Sequence, residues 1–357
     1  MGRKNYKAVI AVLCCWLAAC VKDKPLPAIN NAPAGNRNVY VVCEGNFGNG
    51  DASLYLYEPV KDSVYGDLYK NANNQPLGDV FQSMIRIGGR FFLCINNSDK
   101  VVVIDTGTLK VVTTISISKP RYILPVSATK AYVSTLYSNK VYIINPQTYA
   151  ITGTIELPCQ NPEGMCLYNN YAIICSWDTA CNTIFKVDIA TDKIAQTIKV
   201  AGYAPQSVLL DKEQMLWVLA GNQSKGRAAT WTRIDPSTGG ILMSYQFPAN
   251  ADALKPVFNN TKDTLYFIEV NYYGGIANNG IYRMSINDVA LPAQPFVPAK
   301  QYQYFWALGI DPVTGYIYTG DPKGFVQKGS VCIYRQDGVQ VSSFNVGVGP
   351  GHFYFGE

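Results

Sequence analysis

The chain has 357 residues, of which 48% are hydrophobic and 15% are charged, and its formal net charge is +5. Three of its 30 basic residues lie in the first seven positions, so residues 20–357 carry 27 basic and 25 acidic side chains, a net charge of +2. A charge this small argues against nucleic acid as a partner. One histidine and no Cys-x-x-Cys pair argue against a zinc site of cysteine and histidine ligands.

Residues 1–19 have the pattern of a secretory signal. Arg3, Lys4 and Lys7 form a basic start, and residues 8–19 are apolar over a length that suits a signal core and is short for a membrane span. Small residues then precede Cys20, which resembles the motif at which bacterial lipoprotein signals are cleaved and the new N-terminal cysteine is lipidated. We predict a lipoprotein signal peptide at 1–19 and lipidation at Cys20. The alternative is an ordinary signal with an incidental cysteine.

Residues 20–38 comprise Cys20 and a stretch rich in Pro, Asn, Ala and Gly without apolar periodicity, which is typical of a flexible tether. The lysines and the aspartate directly after Cys20 resemble signals that send lipoproteins to the outside of the outer membrane in some diderm bacteria. We therefore expect an outer-membrane lipoprotein exposed at the cell surface, held to the membrane only by its lipid. The periplasmic side is the alternative.

Residues 39–357 consist of short runs rich in Tyr, Val, Ile and Thr, separated by Asn, Asp, Gly and Pro, which is typical of strands and turns. The segment SDKVVVIDTGTLKVVTTISI at 98–117 returns forty residues later as SNKVYIINPQTYAITGTIEL. An acidic residue or asparagine opens the same turn seven times, at Glu58, Asp105, Asn145, Asp188, Asp235, Asn287 and Asp337. With four strand-like runs in each interval, the repeat predicts an all-β fold, a seven-bladed β-propeller of four-stranded blades over residues 39–357.

The two ends of the repeat are out of register. Residues 39–43 have the pattern of the second strand of a blade, whereas residues 349–357 have the pattern of an innermost strand. We predict that these segments pair, complete the first blade and close the ring, which removes two exposed strand edges. A β-sandwich is the alternative for so many short strands, but it explains neither the sevenfold spacing nor the offset ends.

The hairpins at 98–117 and 131–157 resemble the YVTN or YncE-like propeller repeat. The opening VVCEGNFGNGDASLYLYEP at 41–59 carries a Glu-Gly-Asn-Phe-Gly motif that is similar to a family of propeller lipoproteins on diderm outer membranes. One group in that family, the BtuG-like proteins, binds cobalamin and works with an outer-membrane transporter. The resemblance implies the fold and the location, and it suggests a corrinoid ligand.

The sequence contains no catalytic constellation, and we predict that the protein is not an enzyme. The single histidine, His352, has no Gly-x-Ser-x-Gly nucleophile motif beside it in the chain. Several carboxylates lie near predicted strand ends, but no spacing picks out a glycosidase pair among Glu44, Glu163, Asp178, Glu269 and Asp321. We expect neither cofactor nor metal. A propeller-type lyase or hydrolase is the less favoured alternative.

One face of the predicted propeller mixes aromatic side chains with amides and charges. Loops between the second and third strands of each blade emerge on the same face as the segments that lead into the innermost strands. We predict a ligand-binding face formed by Phe47, Asn97, Tyr122, Tyr137, Trp177, Gln206, Asn222, Tyr272, Tyr273, Tyr304, Trp306, Phe325 and His352, with Glu44, Gln82, Arg121 and Glu163 nearby. Such a mixture suits a large amphipathic ligand.

Some of these side chains are expected to pack within the fold instead. Trp306 is the strongest candidate for packing between blades, and His352 either faces the central channel or is satisfied within its strand. The long loops at 271–280 and 321–329 are the strongest candidates for ligand contact, because loops longer than a fold requires are often functional.

Seven cysteines follow Cys20, an odd number, so at least one is unpaired within the chain. Cys43, Cys94, Cys166, Cys175 and Cys332 lie in strand-like runs, where a free cysteine serves as a small buried hydrophobe. Cys175 and Cys181 flank the segment SWDTA, and we predict that, if a disulfide forms, these two residues close this loop.

These observations favour a monomeric, surface-anchored binding protein. It captures a ligand, with cobalamin or a related corrinoid as the first candidate, and delivers it to a TonB-dependent outer-membrane transporter. The alternative is an interaction or adhesion propeller that uses the same face on a protein or glycan.

Overall fold

The structure is a computed structural model, and it describes residues 37–271 and 279–356. In these residues the chain forms seven four-stranded antiparallel sheets, the blades of a β-propeller, as predicted. No helix among them is long and apolar enough to cross a membrane.

The strands are numbered in chain order, and the first four blades contain the following. Blade 1 has β1 (Val39–Cys43), β2 (Ser53–Glu58), β3 (Ser63–Tyr65) and the C-terminal β28 (Pro350–Phe355). Blade 2 has β4 (Phe81–Ile87), β5 (Arg90–Ile95), β6 (Lys100–Asp105) and β7 (Val111–Ser116). Blade 3 has β8 (Pro120–Ser127), β9 (Lys130–Thr135), β10 (Lys140–Ile144) and β11 (Ile151–Glu156). Blade 4 has β12 (Pro162–Tyr168), β13 (Tyr171–Ser176), β14 (Thr183–Asp188) and β15 (Lys193–Lys199).

The remaining three blades follow the same order from the innermost to the outermost strand. Blade 5 has β16 (Pro205–Leu210), β17 (Leu216–Asn222), β18 (Arg227–Ile234) and β19 (Ile241–Gln246). Blade 6 has β20 (Asp252–Phe258), β21 (Thr264–Val270), β22 (Gly280–Ser285) and β23 (Val297–Pro298). Blade 7 has β24 (Ala307–Ile310), β25 (Ile317–Asp321), β26 (Lys328–Tyr334) and β27 (Gln340–Val348).

In the recurring turns of blades 2 to 5, the side chain of the acidic residue or asparagine that opens the turn accepts hydrogen bonds from the turn's backbone. Asp105 Oδ1 accepts hydrogen bonds from the backbone N–H groups of Gly107 and Thr108, both at 3.0 Å. Asp188, Asp235 and Asn145 accept equivalent bonds from the residues two positions after them. These hydrogen bonds stabilise a tight reversal after the third strand of blades 2 to 5, which is why the acidic residue or asparagine recurs there.

Ring closure follows the prediction. The C-terminal β28 pairs antiparallel with β1, with Val39 opposite Phe355 and Val41 opposite Phe353. The backbone N–H of Gly356 adds a hydrogen bond of 2.8 Å to the carbonyl of Asn38. The two ends of the propeller therefore share one blade, in which β1 is paired on both sides and β28 is the innermost strand.

Two segments differ from the sequence expectation. The outermost strand of blade 1 ends at Tyr65, and the chain continues into a short helix α1 (Leu68–Asn73). Asp67 caps this helix by accepting a hydrogen bond from Lys70 N–H, and Tyr69 is buried against blade 2 residues. In blade 6 the weakly predicted outermost strand is reduced to Val297–Pro298, where proline cannot donate to the ladder.

The predicted disulfide is wrong in one partner. Cys181 is bonded to Cys159, not to Cys175, which is free and buried. The side chains of a strand alternate between the two faces of its sheet, so a cysteine can pair only with one on the same face. The Cys175 side chain belongs to the hydrophobic cluster with Ile173 and Val208, whereas Cys181 and Cys159 lie in the cluster on the other side of blade 4. Cys43, Cys94, Cys166 and Cys332 are free, and all but the half-buried Cys166 are buried.

Candidate functional site

A cavity of about 680 Å³ opens at one end of the central channel. Its walls come from the loops between second and third strands and from the starts of the innermost strands, the face that the repeat predicted. The lining includes Glu44, Asn46, Phe47, Gln82, Asn97, Lys119, Arg121, Tyr122, Tyr137, Glu163, Trp177, Gln206, Leu254, Lys255, Trp306 and Phe325.

Five innermost strands each contain a β-bulge, and each bulge places one side chain at the floor of the cavity. In β4 the ladder pairs Phe81 and then Ser83, which leaves Gln82 unpaired. Equivalent irregularities leave out Arg121 in β8, Glu163 in β12, Gln206 in β16 and Lys255 in β20. Because a bulge redirects a side chain from the normal alternation, these five residues, here called the bulge ring, line the cavity together.

A left-handed residue precedes four of these bulges by two positions. Val80, Lys119, Asn161 and Ala204 have φ values of 57°, 47°, 58° and 57°. Each of their carbonyls accepts a hydrogen bond from a backbone N–H at the end of the neighbouring second strand, for example Trp177 N–H to Asn161 O at 2.7 Å. A positive φ is rare for valine and alanine, and strain of this kind is concentrated at functional sites.

In blade 1 the bulge position is a glycine, and the carboxylate of Glu44 from the adjacent strand occupies the space of the missing side chain. The bulge residue of β28 is Gly351, and a Cβ atom on it would lie only 2.0 Å from Glu44 Oε1. Glu44 follows β1 and is almost fully buried. Glycine at position 351 therefore admits the Glu44 carboxylate to the ring from the adjacent strand.

Arg121 and Glu163 form a buried ion pair within the bulge ring. Arg121 Nε donates to Glu163 Oε2 at 2.8 Å, and its Nη2 donates to Glu163 Oε1. Its Nη1 donates to the side-chain carbonyl of Gln82, whose amide donates to the Tyr122 hydroxyl at 3.2 Å. Burial lowers the pKa of the Arg121 guanidinium, but the Glu163 carboxylate outweighs burial and the net shift is upward. The pair is a rigid, charge-balanced part of the floor.

Lys255 and Glu44 form a second, looser pair on the opposite arc of the ring. Lys255 Nζ lies 3.9 Å from Glu44 Oε1, and the same oxygen accepts a hydrogen bond of 2.9 Å from Trp306 Nε1. The Lys255 ammonium also lies 5.5 Å from the centre of the Trp306 ring. Burial lowers the pKa of Lys255.

Aromatic side chains form the rim above this polar floor. Phe47 is 74% exposed and Tyr137 is 79% exposed, although both line the cavity. Phe325 packs its edge against Trp306 with ring centres 5.4 Å apart, and Trp177 Nε1 donates to the carbonyl of Gly221 at 3.0 Å. Large exposed rings at the mouth of a concave site provide apolar contact surface for a ligand.

Asn161 connects two of the rim residues. Its Oδ1 accepts from Tyr137 N–H at 2.7 Å, and its Nδ2 donates to the carbonyl of Trp177 at 3.4 Å. Its backbone N–H donates to Ser138 O at 2.7 Å. The Cys159–Cys181 disulfide and a hydrogen bond from Gln160 N–H to Asp178 Oδ2 tie the segment before Asn161 to the loop that carries Trp177.

Eight predicted site residues lie in the cavity wall: Phe47, Asn97, Tyr122, Tyr137, Trp177, Gln206, Trp306 and Phe325. Trp306 therefore lines the cavity as well as packing against its neighbours. Asn222, Tyr304 and His352 are not in the wall. Tyr304 stacks on Trp306 with ring centres 6.2 Å apart, and Asn222 Oδ1 accepts from Ser224 Oγ. Tyr272 and Tyr273 lie outside the described residues.

His352 is held within the channel as part of β28. Burial lowers its pKa to about 4, and the positive charge of Lys255 contributes to the same shift. The imidazole is therefore neutral at pH 7. Within residues 37–271 and 279–356, no three histidine, cysteine or carboxylate side chains are grouped as metal ligands.

Lys119, Leu254 and Lys255 are wall residues that the sequence reasoning missed. Lys255 occupies the bulge position that Arg121 and Glu163 occupy in their blades, but the bulge lies later in β20 than in the other innermost strands. The available signal in the sequence was Pro256 directly after Lys255, since a proline inside a strand often marks a bulge.

The fold and the cavity define the class of protein as a closed seven-bladed β-propeller with an aromatic-rimmed, polar-floored funnel at one end of its channel. The chain belongs to the family described as Domain of unknown function (DUF5074), whose family model matches residues 37–356. No curated protein sequence matches the chain.

Solved structures show the same fold at low sequence identity. A quinonprotein alcohol dehydrogenase-like protein from Bacteroides thetaiotaomicron is 16% identical with a TM-score of 0.64, and the match covers 90% of this chain and 78% of that chain. A chain of the mitotic checkpoint complex is 13% identical with a TM-score of 0.63, covering 84% and 86%. Hydrazine synthase from Kuenenia stuttgartiensis is 14% identical with a TM-score of 0.54, covering 69% and 74%. At these identities the likeness concerns the propeller fold alone.

Proposed function

We propose that this propeller is a non-catalytic binding lipoprotein that captures a ligand in the funnel and passes it to an outer-membrane transporter. The first candidate ligand is cobalamin or a related corrinoid. The protein acts as a monomer, anchored through Cys20 at the cell surface of a diderm bacterium, with residues 21–38 as the tether.

The observation that carries this proposal is the combination of an exposed aromatic rim with a preformed polar floor in one cavity. Phe47, Tyr137 and Trp177 offer flat apolar surfaces, and the bulge ring beneath them offers amide, carboxylate and cationic groups. A volume of about 680 Å³ is within the range of small-molecule sites. A corrinoid has a broad apolar ring system with many polar amide substituents, so it suits both layers.

The opening motif supports the resemblance to propeller lipoproteins. Glu44, Gly45, Asn46 and Phe47, the first four residues of Glu-Gly-Asn-Phe-Gly, all lie in the cavity wall. The segment on which the resemblance rests is thus in the candidate site and not on a remote surface.

The state of the carboxylates favours binding over catalysis. Glu163 is held by two nitrogens of Arg121, and Glu44 is held by Trp306 and lies near Lys255. Neither has the free access to a reacting atom that a general acid or base needs.

Calorimetric titration of the purified protein with cyanocobalamin tests the proposal. We expect one-to-one binding, and we expect a Phe47→Ala/Tyr137→Ala variant to bind at least about tenfold more weakly, because buried aromatic contacts carry much of the energy of such interfaces. Tyr302→Ala is the matched control, since Tyr302 is 90% exposed and outside the cavity wall. No heat and no shift in melting temperature with cyanocobalamin would remove the named ligand.

A glycan ligand is the second candidate, favoured by the exposure of Phe47 and Tyr137. Flat, solvent-exposed rings at a cavity mouth are suitable stacking surfaces for sugars. A glycan array tests this function. It is supported if the wild-type protein binds a glycan but not cyanocobalamin, and if the Phe47→Ala/Tyr137→Ala variant loses the glycan binding.

A further inference from the structure

We infer that the Lys255–Glu44 pair at the floor of the funnel is a subsite for an uncharged primary carboxamide on the ligand. The inference rests on the proposed function of the funnel as a binding site, and it specifies the chemistry that this site accepts.

The pair offers one donor and one acceptor at a separation that leaves room for a ligand group. Lys255 Nζ and Glu44 Oε1 are 3.9 Å apart, too far for a direct hydrogen bond. Lys255 Nζ donates no hydrogen bond to any described residue, although only 23% of its side chain is exposed. The Lys255 ammonium is therefore paired with Glu44 only at ion-pair distance, and a ligand oxygen can accept the direct hydrogen bond that Glu44 does not.

Both partners are held in place by the backbone around them. Lys255 occupies a bulge with a φ of 49°, directly before Pro256, which limits its backbone freedom. Glu44 lies in the space that Gly351 leaves open, and Trp306 Nε1 fixes its Oε1 atom. The donor and the acceptor therefore do not have to be reorganised when a ligand binds.

The charges around the subsite exclude ionic groups. A ligand carboxylate at Lys255 meets the fixed carboxylate of Glu44, and a ligand ammonium at Glu44 meets Lys255. The other ionic pair of the ring, Arg121 with Glu163, is already neutralised. A primary carboxamide accepts at its oxygen from Lys255 and donates from its nitrogen to Glu44, so it satisfies both groups without adding charge. The Trp306 ring beside the pair provides a surface for an apolar body attached to the amide.

Benzamide and benzoate are a matched pair of probes for this subsite, since they differ only in the amide and the carboxylate. The readout is the ¹H–¹⁵N resonance of the Trp306 indole N–H, assigned with Trp306→Phe, because this group bonds directly to Glu44. At pH 7 we expect benzamide to shift the resonance saturably and benzoate to bind about tenfold more weakly, owing to like-charge repulsion. Equal or tighter binding of benzoate, or no shift with benzamide up to its solubility limit, overturns the inference.

Two variants separate this chemistry from general effects on the cavity. In Glu44→Gln the fixed negative charge is lost, and the preference should change from benzamide to benzoate. Lys119→Met is the control, because Lys119 lines the same cavity but already donates to Asn97 Oδ1 at 2.9 Å, and the wild-type preference should persist. A preference that is unchanged in Glu44→Gln overturns the inference.

The outcome is independent of the cobalamin titration. If the protein prefers benzamide to benzoate but does not bind cyanocobalamin, the carboxamide subsite stands and cobalamin is excluded as the ligand. If the protein binds cyanocobalamin but does not discriminate between benzamide and benzoate, the proposed function stands and the carboxamide subsite is wrong.

Discussion

Asn161 shows how a single residue can organise a binding rim. Its left-handed backbone, its side-chain amide and its backbone N–H and carbonyl hold the loops that carry Tyr137 and Trp177. Asparagine adopts a positive φ more readily than other residues with a side chain, and its amide both donates and accepts. No other residue type combines these properties at this position.

Asn161→Ala should lower the free energy of unfolding by about 2–3 kcal/mol, from the strained φ and the lost side-chain hydrogen bonds. It should also weaken binding in the funnel, because Tyr137 and Trp177 lose their fixed positions. Urea denaturation and calorimetry measure the two effects.

The matched control for this prediction is Asn169→Ala. Asn169 also has a positive φ, 51°, but it is exposed in the turn between β12 and β13. Its replacement should cost about 1 kcal/mol from backbone strain alone, with ligand binding unchanged. Equal effects of the two substitutions on binding would show that Asn161 does not position the rim.

At the scale of elements, irregularities in the innermost strands create the site. A regular strand alternates its side chains between the two faces of its blade, and both faces pack against neighbouring blades. The bulges add Gln82, Arg121, Glu163, Gln206 and Lys255 to the channel wall. The disulfide then ties the segment between β11 and β12 to the loop between β13 and β14.

Cys159→Ser should lower the free energy of unfolding by about 3 kcal/mol, because the bridge closes a loop across 22 positions in the unfolded chain. Thermal melting with and without dithiothreitol measures this: the reductant should destabilise the wild-type protein and leave the variant unaffected.

Cys175→Ala is the control for the disulfide, since Cys175 is buried and free. This variant should remain sensitive to dithiothreitol. Non-reducing peptide mapping gives the pairing directly, and a peptide that links Cys175 to Cys181 would contradict the assignment.

At the scale of the whole molecule, ring closure couples the two ends of the chain. Blade 1 takes three strands from the N-terminal end and its innermost strand from the C-terminal end. The same closure places Gly351 beside Glu44, so the integrity of the funnel floor depends on it.

Deletion of residues 350–357 should abolish cooperative folding, because it removes the innermost strand of blade 1 and the contacts of β28 with β1 and β24. Circular dichroism melting measures the loss. Deletion of residue 357 alone is the control and should leave the melting temperature unchanged. A protein truncated at 349 that melts like the full chain would contradict the closure argument.

Sequence alone determined the blade count, the closure and the face that carries the cavity. These features depend on local patterns. Asp105 and its counterparts form their turns with residues two and three positions away, and the alternation of residue types in a strand can be read from the sequence. Aromatic residues in the loops of that face, such as Phe47, Tyr137 and Trp177, were therefore identifiable as rim candidates.

Only the tertiary structure decided the Lys255–Glu44 pair in the floor of the funnel and the disulfide. Glu44 meets Gly351, and Lys255 meets Glu44, across separations of more than two hundred residues, and no local pattern specifies such contacts. The bulge in β20 lies at a different place from those in the other blades, which hid Lys255 from the repeat. Cys181 pairs with Cys159 because both lie on the same side of blade 4, and the packing of neighbouring blades decides which cysteine is within reach.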